Sequence, residues 1–405
     1  MNNRILIIGL VWPEPTSSAA GWHMLQLIQQ LQLITKDIHF ASAASKSVAS
    51  FALNEMQVQE HTIALNNESF NTFISNLQPT IVVYDRFVTE EQFGWRVKEC
   101  LPNVLTVLDT EDLHFVRKAR TIAYKKNIEI NYDSPDCYRE LAAIYRCDLS
   151  LIISQFEYDL LVKEFNVSPN QLLYLPFIEH DLQIDIFNKL PNFHQRKNLM
   201  FIGNFIHEPN FETVLQLKKV WPEIRKRIKN IEIHIYGAYP THKINQLHNV
   251  ATGFIIKGKA DDVNTTMQNY RILTAPIPFG AGLKGKFIDG FKNKLPSVTT
   301  NIGSEGITAD NWAGIIATNE TDFVNAVYEL YTNEESWDNA VVNGLLIINT
   351  CFSFKIWNGV LANLLLNLQN NLEEHRKKLI IQKILWHQSL QALKYMSLWI
   401  EEKNK

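Results

Sequence analysis

Short continuous apolar runs recur along the chain, each followed by a loop of turn formers and then by helical spacing. The first run, RILIIGL at 4–10, leads into WPEPTSSAAG and then into apolar positions Met24, Leu25, Leu27, Ile28 and Leu31. Strands buried on both faces and alternating with helices build parallel sheets with helices on either side. Similar runs follow at 37–42, 80–84, 104–108, 148–154 and 172–176. The period lapses over 179–197, around Pro191, Asn192, His194 and Arg196, and restarts with NLMFIG at 198–203. Further strands are expected at 231–236, 252–256, 272–277, 297–301 and 314–318. The helix after NFIHEPN, 204–210, is expected to break or restart at Pro222. The expectation is an α/β chain of two Rossmann-like domains, 1–178 and 198–350, with a linker at 179–197 and a helical extension at 351–405. Ligands of such open sheets bind at the carboxyl ends of the strands, so the active cleft should lie between the two arrays.

Composition narrows the function classes. The chain has 405 residues, 46% hydrophobic and 20% charged. Those proportions are close to the globular average and argue against disorder. A net charge of −3 gives no reason to expect a nucleic-acid partner. No apolar stretch approaches the ~20 residues needed to span a bilayer, and the first strand lacks the small-residue cleavage site of a signal peptide. Cys100, Cys137, Cys147 and Cys351 show no C-x-x-C spacing, so neither a zinc site nor a redox pair is suggested. A cytoplasmic location is therefore expected. Beyond 354 a long apolar periodicity runs through Leu361, Leu364, Leu365, Leu379, Ile384 and Trp399, interrupted by NNLEEHRKK at 370–378. It suits a helix that covers one domain, crosses back to the other, pairs with a second subunit or touches a membrane surface.

PFGAGLKGK, 278–286, sits where an apolar strand turns into a helix. Gly280, Gly282 and Gly285 allow close backbone approach, the first helical N–H groups lack partners, and Lys284 and Lys286 add positive charge. These features suit a phosphate or diphosphate pocket; an ordinary glycine loop with solvated lysines is the alternative. In the first half, Ser17, Ser18 and Gly21 belong to the first strand-to-helix loop. Asp85, Arg86, Asp109, Glu111, Asp112 and His114 follow strand ends and are candidates for a cleft wall. Helix N-capping is the other role open to Asp85 and Asp109.

The order IGNFIHEPN, VWPEIR, IHIYGAYP, IIKGKADDV and TAPIPFGAGLKGKFIDGFKNKLPSVTTNIGSEGI resembles family-4 GT-B glycosyltransferases. More narrowly it resembles the subgroup whose loop reads G-A-G-x-K-x-K. RELAAIYRCDLSLIISQFE, 139–157, also looks like the end of that family's N-terminal domain. The resemblance implies transfer of a sugar from a nucleotide-diphosphate donor to an acceptor hydroxyl. It implies retention of anomeric configuration, no metal and no resident cofactor, the nucleotide sugar being a co-substrate. It places the donor on Asn204, His207, Gly280, Gly282, Lys284, Gly285, Lys286, Asp289, Gly303, Ser304 and Glu305. It places Asp112 and His114 beside the transferred sugar, with Lys284 as the third catalytic group, and the acceptor near Ser17, Ser18, Gly21, Asp85 and Arg86. Where the family commonly carries two glutamates eight positions apart, this chain has Ala281 and Asp289. A non-catalytic binding or scaffold protein and a sugar-nucleotide epimerase of the same fold are the alternatives.

Overall fold

Strand ladders hold two separate sheets in this computed structural model, which describes the backbone of residues 3–307 and 311–404 and their side chains except those of 388–392. The N-terminal domain contains β1 (Ile5–Gly9), β2 (Ile38–Ser42), β3 (Gln59–Thr62), β4 (Ile81–Asp85), β5 (Leu105–Asp109), β6 (Leu149–Ile152) and β7 (Leu172–Tyr174). Their order is β3-β2-β1-β4-β5-β6-β7, every pair parallel. The C-terminal domain contains β8 (Lys197–Ile202), β9 (Ile233–Tyr236), β10 (Phe254–Gly258), β11 (Tyr270–Ala275), β12 (Ser297–Thr300) and β13 (Gly314–Ala317). Their order is β10-β9-β8-β11-β12-β13, again parallel. β1, β2, β4, β5 and β6 are buried along their whole length, the physical reason their sequences read as unbroken apolar runs. β3, QEHT, is a half-exposed edge strand with no apolar run and was not foreseen.

In each sheet the strand order reverses once, between β1 and β4 and between β8 and β11. Helices leave in opposite directions at such a point and open a crevice at the strand ends. The two crevices face each other.

One expectation is corrected. Helix Glu208–Arg227 runs without a break through Pro222. Proline in a helix interior costs about 3 kcal/mol. Burial of Val214, Leu217, Val220, Trp221 and Ile224 on the sheet outweighs that cost, since a buried large apolar side chain contributes about 1.5–3 kcal/mol.

The helical extension starts on one domain and ends on the other. Helix Glu334–Cys351 buries Trp337 in the C-terminal domain, where its Nε1 donates to the Arg271 carbonyl at 2.8 Å. The chain then passes beside the linker. The Glu179 amide donates to the Phe352 carbonyl, and the Phe354 amide donates to the Glu179 carbonyl, both at 2.7 Å. Helix Val360–Asn370 places Leu361, Leu365 and Leu368 in the N-terminal core beneath helix Ala19–Leu31. The polar interruption is an anchor. His375 Nε2 meets the Asp148 carbonyl at 2.8 Å, and Arg376 grips the Asp148 carboxylate at 2.7 Å. Helix Ile380–Lys403 lies on helices Pro135–Arg146 and Arg86–Cys100, pairing Glu401 with buried Arg96 at 3.2 Å. Its outer side exposes Ile380, Ile384, Tyr395, Met396 and Trp399. Among the described residues no helix is long and apolar enough to cross a membrane.

Arg96→Ala leaves the Glu401 carboxylate buried without its counter-charge. The expected loss is about 3 kcal/mol, read as a lower urea midpoint for the full chain; an unchanged midpoint means that the last helix does not hold the N-terminal domain through this pair.

Candidate active site

The facing crevices enclose one cleft of about 1420 Å³. Residues 10–22, Asp85, Arg86, Glu111, Asp112 and His114 line one side; residues 202–204, 206–210, 277, 279–286, 288, 289 and 292 line the other. At the mouths of β4 and β5, Arg86 and Glu111 hold φ of +68° and +59°, a region costly for residues with a side chain. Such conformations persist where surrounding contacts over-determine them, and they concentrate at functional sites.

On the C-terminal side, helix Gly285–Lys292 opens into the cleft. Lys284 Nζ donates to the Gly282 carbonyl at 2.9 Å. Lys286 Nζ donates to Asn210 Oδ1 at 2.7 Å and sits 4.3 Å from the Phe201 ring centre. Burial lowers the Lys284 ammonium below its usual range. Burial, reinforced by the neighbouring Lys284 charge, brings Lys286 down to about 7. Neither lysine has an anionic partner at hydrogen-bond distance among the described residues, so an incoming anion relieves the cost of holding both charges there.

The glycines of this loop meet protein as well as open cleft. Gly282 has φ +62°, and a Cβ there would lie 2.7 Å from Asp112 Cβ. A Cβ on Gly285 would lie 3.0 Å from Ala19 Cβ. The Gly282 amide donates to Glu157 Oε1 at 2.8 Å, and the Gly280 carbonyl accepts from Arg120 at 2.8 Å. Asn204 lines the cleft while its Nδ2 donates to the Ser17 carbonyl at 3.1 Å; His207 lines it as the N-cap residue of its helix. Asp289 lines it next to Lys292, 3.7 Å away, which also meets Glu179 at 2.7 Å. Burial raises the Asp289 carboxyl to about 6, with Lys292 opposing.

On the N-terminal side, His114 begins helix His114–Lys126, with Nε2 3.5 Å from Asp112 Oδ1. Burial lowers the imidazole to about 4, against the pull of Asp112. Burial would raise the Asp112 carboxyl, but Arg117, 3.3 Å away, with His114 and Arg86, holds it below its usual range. Ser18 caps helix Ala19–Leu31 through the Gly21 amide at 3.0 Å, and Ser17 bonds Glu14 at 2.7 Å. Asp85 precedes helix Arg86–Cys100 but makes no side-chain cap; it accepts from the Leu10 amide at 3.0 Å and from Arg86 at 3.3 Å. Behind it lie His23, Asp109 and Glu111, whose ligand atoms fall within 4.8 Å of one another, a set able to hold a cation. Burial works against charge on His23, but Glu111 and Asp109 raise it to about 9, so the imidazolium itself answers these carboxylates.

The structure thus brings Ser17, Ser18, Gly21, Asp85, Arg86, Asp112, His114, Asn204, His207, Gly280, Gly282, Lys284, Gly285, Lys286 and Asp289 to one cleft. Gly303, Ser304 and Glu305 are not on its wall. Gly303 and Ser304 lie in the short helix Asn301–Ser304, and both Glu305 oxygens are taken by Arg120 at 2.6 and 2.9 Å. Sequence reasoning missed His23, Arg120, Glu157 and Glu179. His23 offered a signal, a histidine on the apolar face of the first helix; the other three read as ordinary helix or linker charges.

Comparison with known proteins agrees with this geometry. A family profile described as "Glycosyl transferases group 1" matches residues 196–333. An uncharacterized 44.6 kDa protein in the cps region of Klebsiella pneumoniae is 25% identical over 178 residues, covering 39% of this chain and 46% of that protein. The chain thus aligns with about half the length of this curated relative. Sucrose-phosphate synthase from Thermosynechococcus elongatus superposes with a TM-score of 0.68 at 11% identity, covering 90% of this chain and 99% of its own. HepE of Anabaena in complex with UDP gives 0.66 at 10% identity, covering 90% and 100%. WaaG, a glycosyltransferase involved in lipopolysaccharide biosynthesis, gives 0.57 at 11% identity, covering 85% and 95%. Two parallel Rossmann-like sheets opposed across a cleft, with C-terminal helices returning to the first domain, make this chain a GT-B fold.

Proposed function

We propose that this chain is a retaining glycosyltransferase of the family-4 type, cytoplasmic and working without a metal, that moves a sugar from a nucleotide-diphosphate donor to an acceptor hydroxyl. One observation carries the reading. Two half-buried lysines at a helix N-terminus, Lys284 and Lys286, line the same cleft as an imidazole that burial keeps neutral. As the sugar–oxygen bond breaks, negative charge gathers on the departing diphosphate. Lys284, Lys286 and the first amides of helix Gly285–Lys292 are arranged to meet it. Neutral His114 can hydrogen-bond a sugar hydroxyl without adding positive charge beside the electron-poor anomeric carbon. Asp112 and Arg117 fix its surroundings. The acceptor, a carbohydrate or other hydroxyl compound, would enter along Ser17, Asp85 and Arg86, where Asp85 has an unpartnered oxygen.

The matched glycosyltransferase profile and the UDP held by the Anabaena neighbour support this reading, and retention follows the family resemblance. The apolar outer side of helix Ile380–Lys403 supports a peripheral membrane contact by the same enzyme. A non-catalytic sugar-nucleotide-binding protein is the second reading, favoured by Ala281, which brings no carboxylate to the loop.

Donor hydrolysis separates the two. Lys284→Ala is expected to lower the hydrolysis rate of the accepted nucleotide sugar by ~10²–10³, about 2.7–4 kcal/mol of transition-state stabilisation. An unchanged rate would place the diphosphate elsewhere, and no turnover of any nucleotide sugar by the wild type would favour the binding protein.

UDP binding should also take up protons. Lys286 titrates near 7 in the ligand-free cleft and is held charged against a diphosphate. Affinity is therefore expected to tighten as pH falls from 9 towards 7, with proton uptake at pH 8 read by calorimetry in buffers of different ionisation enthalpy. Affinity that does not vary with pH would remove Lys286 from the diphosphate site.

A further inference from the structure

Glu157, in helix Gln155–Lys163 of the N-terminal domain, is fully buried. Its Oε1 accepts two backbone N–H bonds, from Leu113 at 3.1 Å and from Gly282 at 2.8 Å. Leu113 immediately precedes the His114 helix; Gly282 belongs to the lysine loop of the other domain. One carboxylate oxygen therefore spans the domain boundary, while Oε2 is buried without a partner. Burial, with the Asp112 charge beside it, raises this carboxyl well above its usual range. Gly282, held in this way by its amide, also receives Lys284 Nζ on its carbonyl at 2.9 Å. Glu157 thus fixes the amide and Lys284 is aimed by the carbonyl of the same residue. Arg120 supports the arrangement from the neighbouring helix, donating to the Gly280 carbonyl at 2.8 Å and clamping Glu305. Between the two held glycines, Ala281 packs against the N-terminal core.

We propose that Glu157 is a positioning residue that ties the lysine loop to the loop carrying Asp112 and His114, so that the anion cradle takes its working shape only when the two domains are closed. The inference rests on the reading of 278–286 as a diphosphate loop. A buried hydrogen-bonded carboxylate that crosses a boundary couples the two sides, because opening the cleft leaves its oxygen and the Gly282 amide to find other partners.

The test compares full-length wild type with Glu157→Ala and Glu157→Gln. Small-angle X-ray scattering without nucleotide reads closure, and calorimetric titration with UDP reads the cradle. Glu157→Ala is expected to enlarge the radius of gyration and to weaken UDP binding about tenfold or more. Glu157→Gln is expected to restore most of both, because its amide oxygen can accept the same two N–H bonds. If the alanine variant does not fold, Glu157→Asp supplies the comparison, its carboxylate being one methylene short of reaching both amides. Unchanged scattering and affinity in the alanine or aspartate variant would overturn the proposal. So would a glutamine variant as impaired as the alanine one. Absence of UDP binding by the wild type would instead count against the diphosphate reading, and the scattering would still decide whether Glu157 ties the domains.

Discussion

The contact between the Gly282 loop and the N-terminal domain is what the geometry of the cleft depends on. There is no room at Gly282 for a Cβ, because Asp112 of the opposite domain occupies that space. The same loop gives its Gly282 amide to Glu157 and its Gly280 carbonyl to Arg120. Both are buried side chains whose polar groups would be costly to leave unpaired. The loop is thus part of the C-terminal wall and also the seam that joins the two walls. Its glycines are needed for that seam as much as for any ligand.

Acidic and basic side chains line both walls of the cleft, and the two lysines of the 278–286 loop stand together on one of them. The N-terminal wall carries Asp85 and Glu111, backed by Asp109 and countered from within by His23 and Arg86. The C-terminal wall carries Lys284 and Lys286, held close together with neutral oxygen partners. An anion is favoured on the second side, where burial has weakened the hold of both lysines on their protons. On the first side, Asp85 keeps a carboxylate oxygen without a hydrogen-bond partner, which suits a hydroxyl donor.

The two sheets were legible because five strands of the first are buried on both faces and the central strands of the second are largely buried, which leaves short apolar runs bounded by turn formers. The loops after β1, β4, β8 and β11 were legible for the related reason that polar residues following such runs must lie at a strand mouth. β3 carried no such run, since an edge strand needs to bury little. Pro222 misled because local propensity was outweighed by five buried side chains of one helix. NNLEEHRKK read as an interruption, yet its His375 and Arg376 fasten the extension to Asp148. Glu157 and Arg120 were beyond reach. Each is a single charge on a helix, and its partner lies more than a hundred residues away in the chain. The lysines were visible because lysine among glycines is unusual composition; the residues that aim them are ordinary composition in an unusual place.

The chain passes between the domains twice, through the linker and again after Cys351, and the two passages are laced together at Glu179 by paired backbone hydrogen bonds. Two strings fastened side by side leave a door free to swing about one line and resist its twisting about any other. The carboxylate of the same Glu179 reaches Lys292 on the helix that follows the lysine loop, and Trp22 and Gln26 on the first helix of the opposite domain. The pivot is therefore wired to both leaves. Any tilt of the lysine-bearing helix would disturb contacts at the very place where the two passages meet.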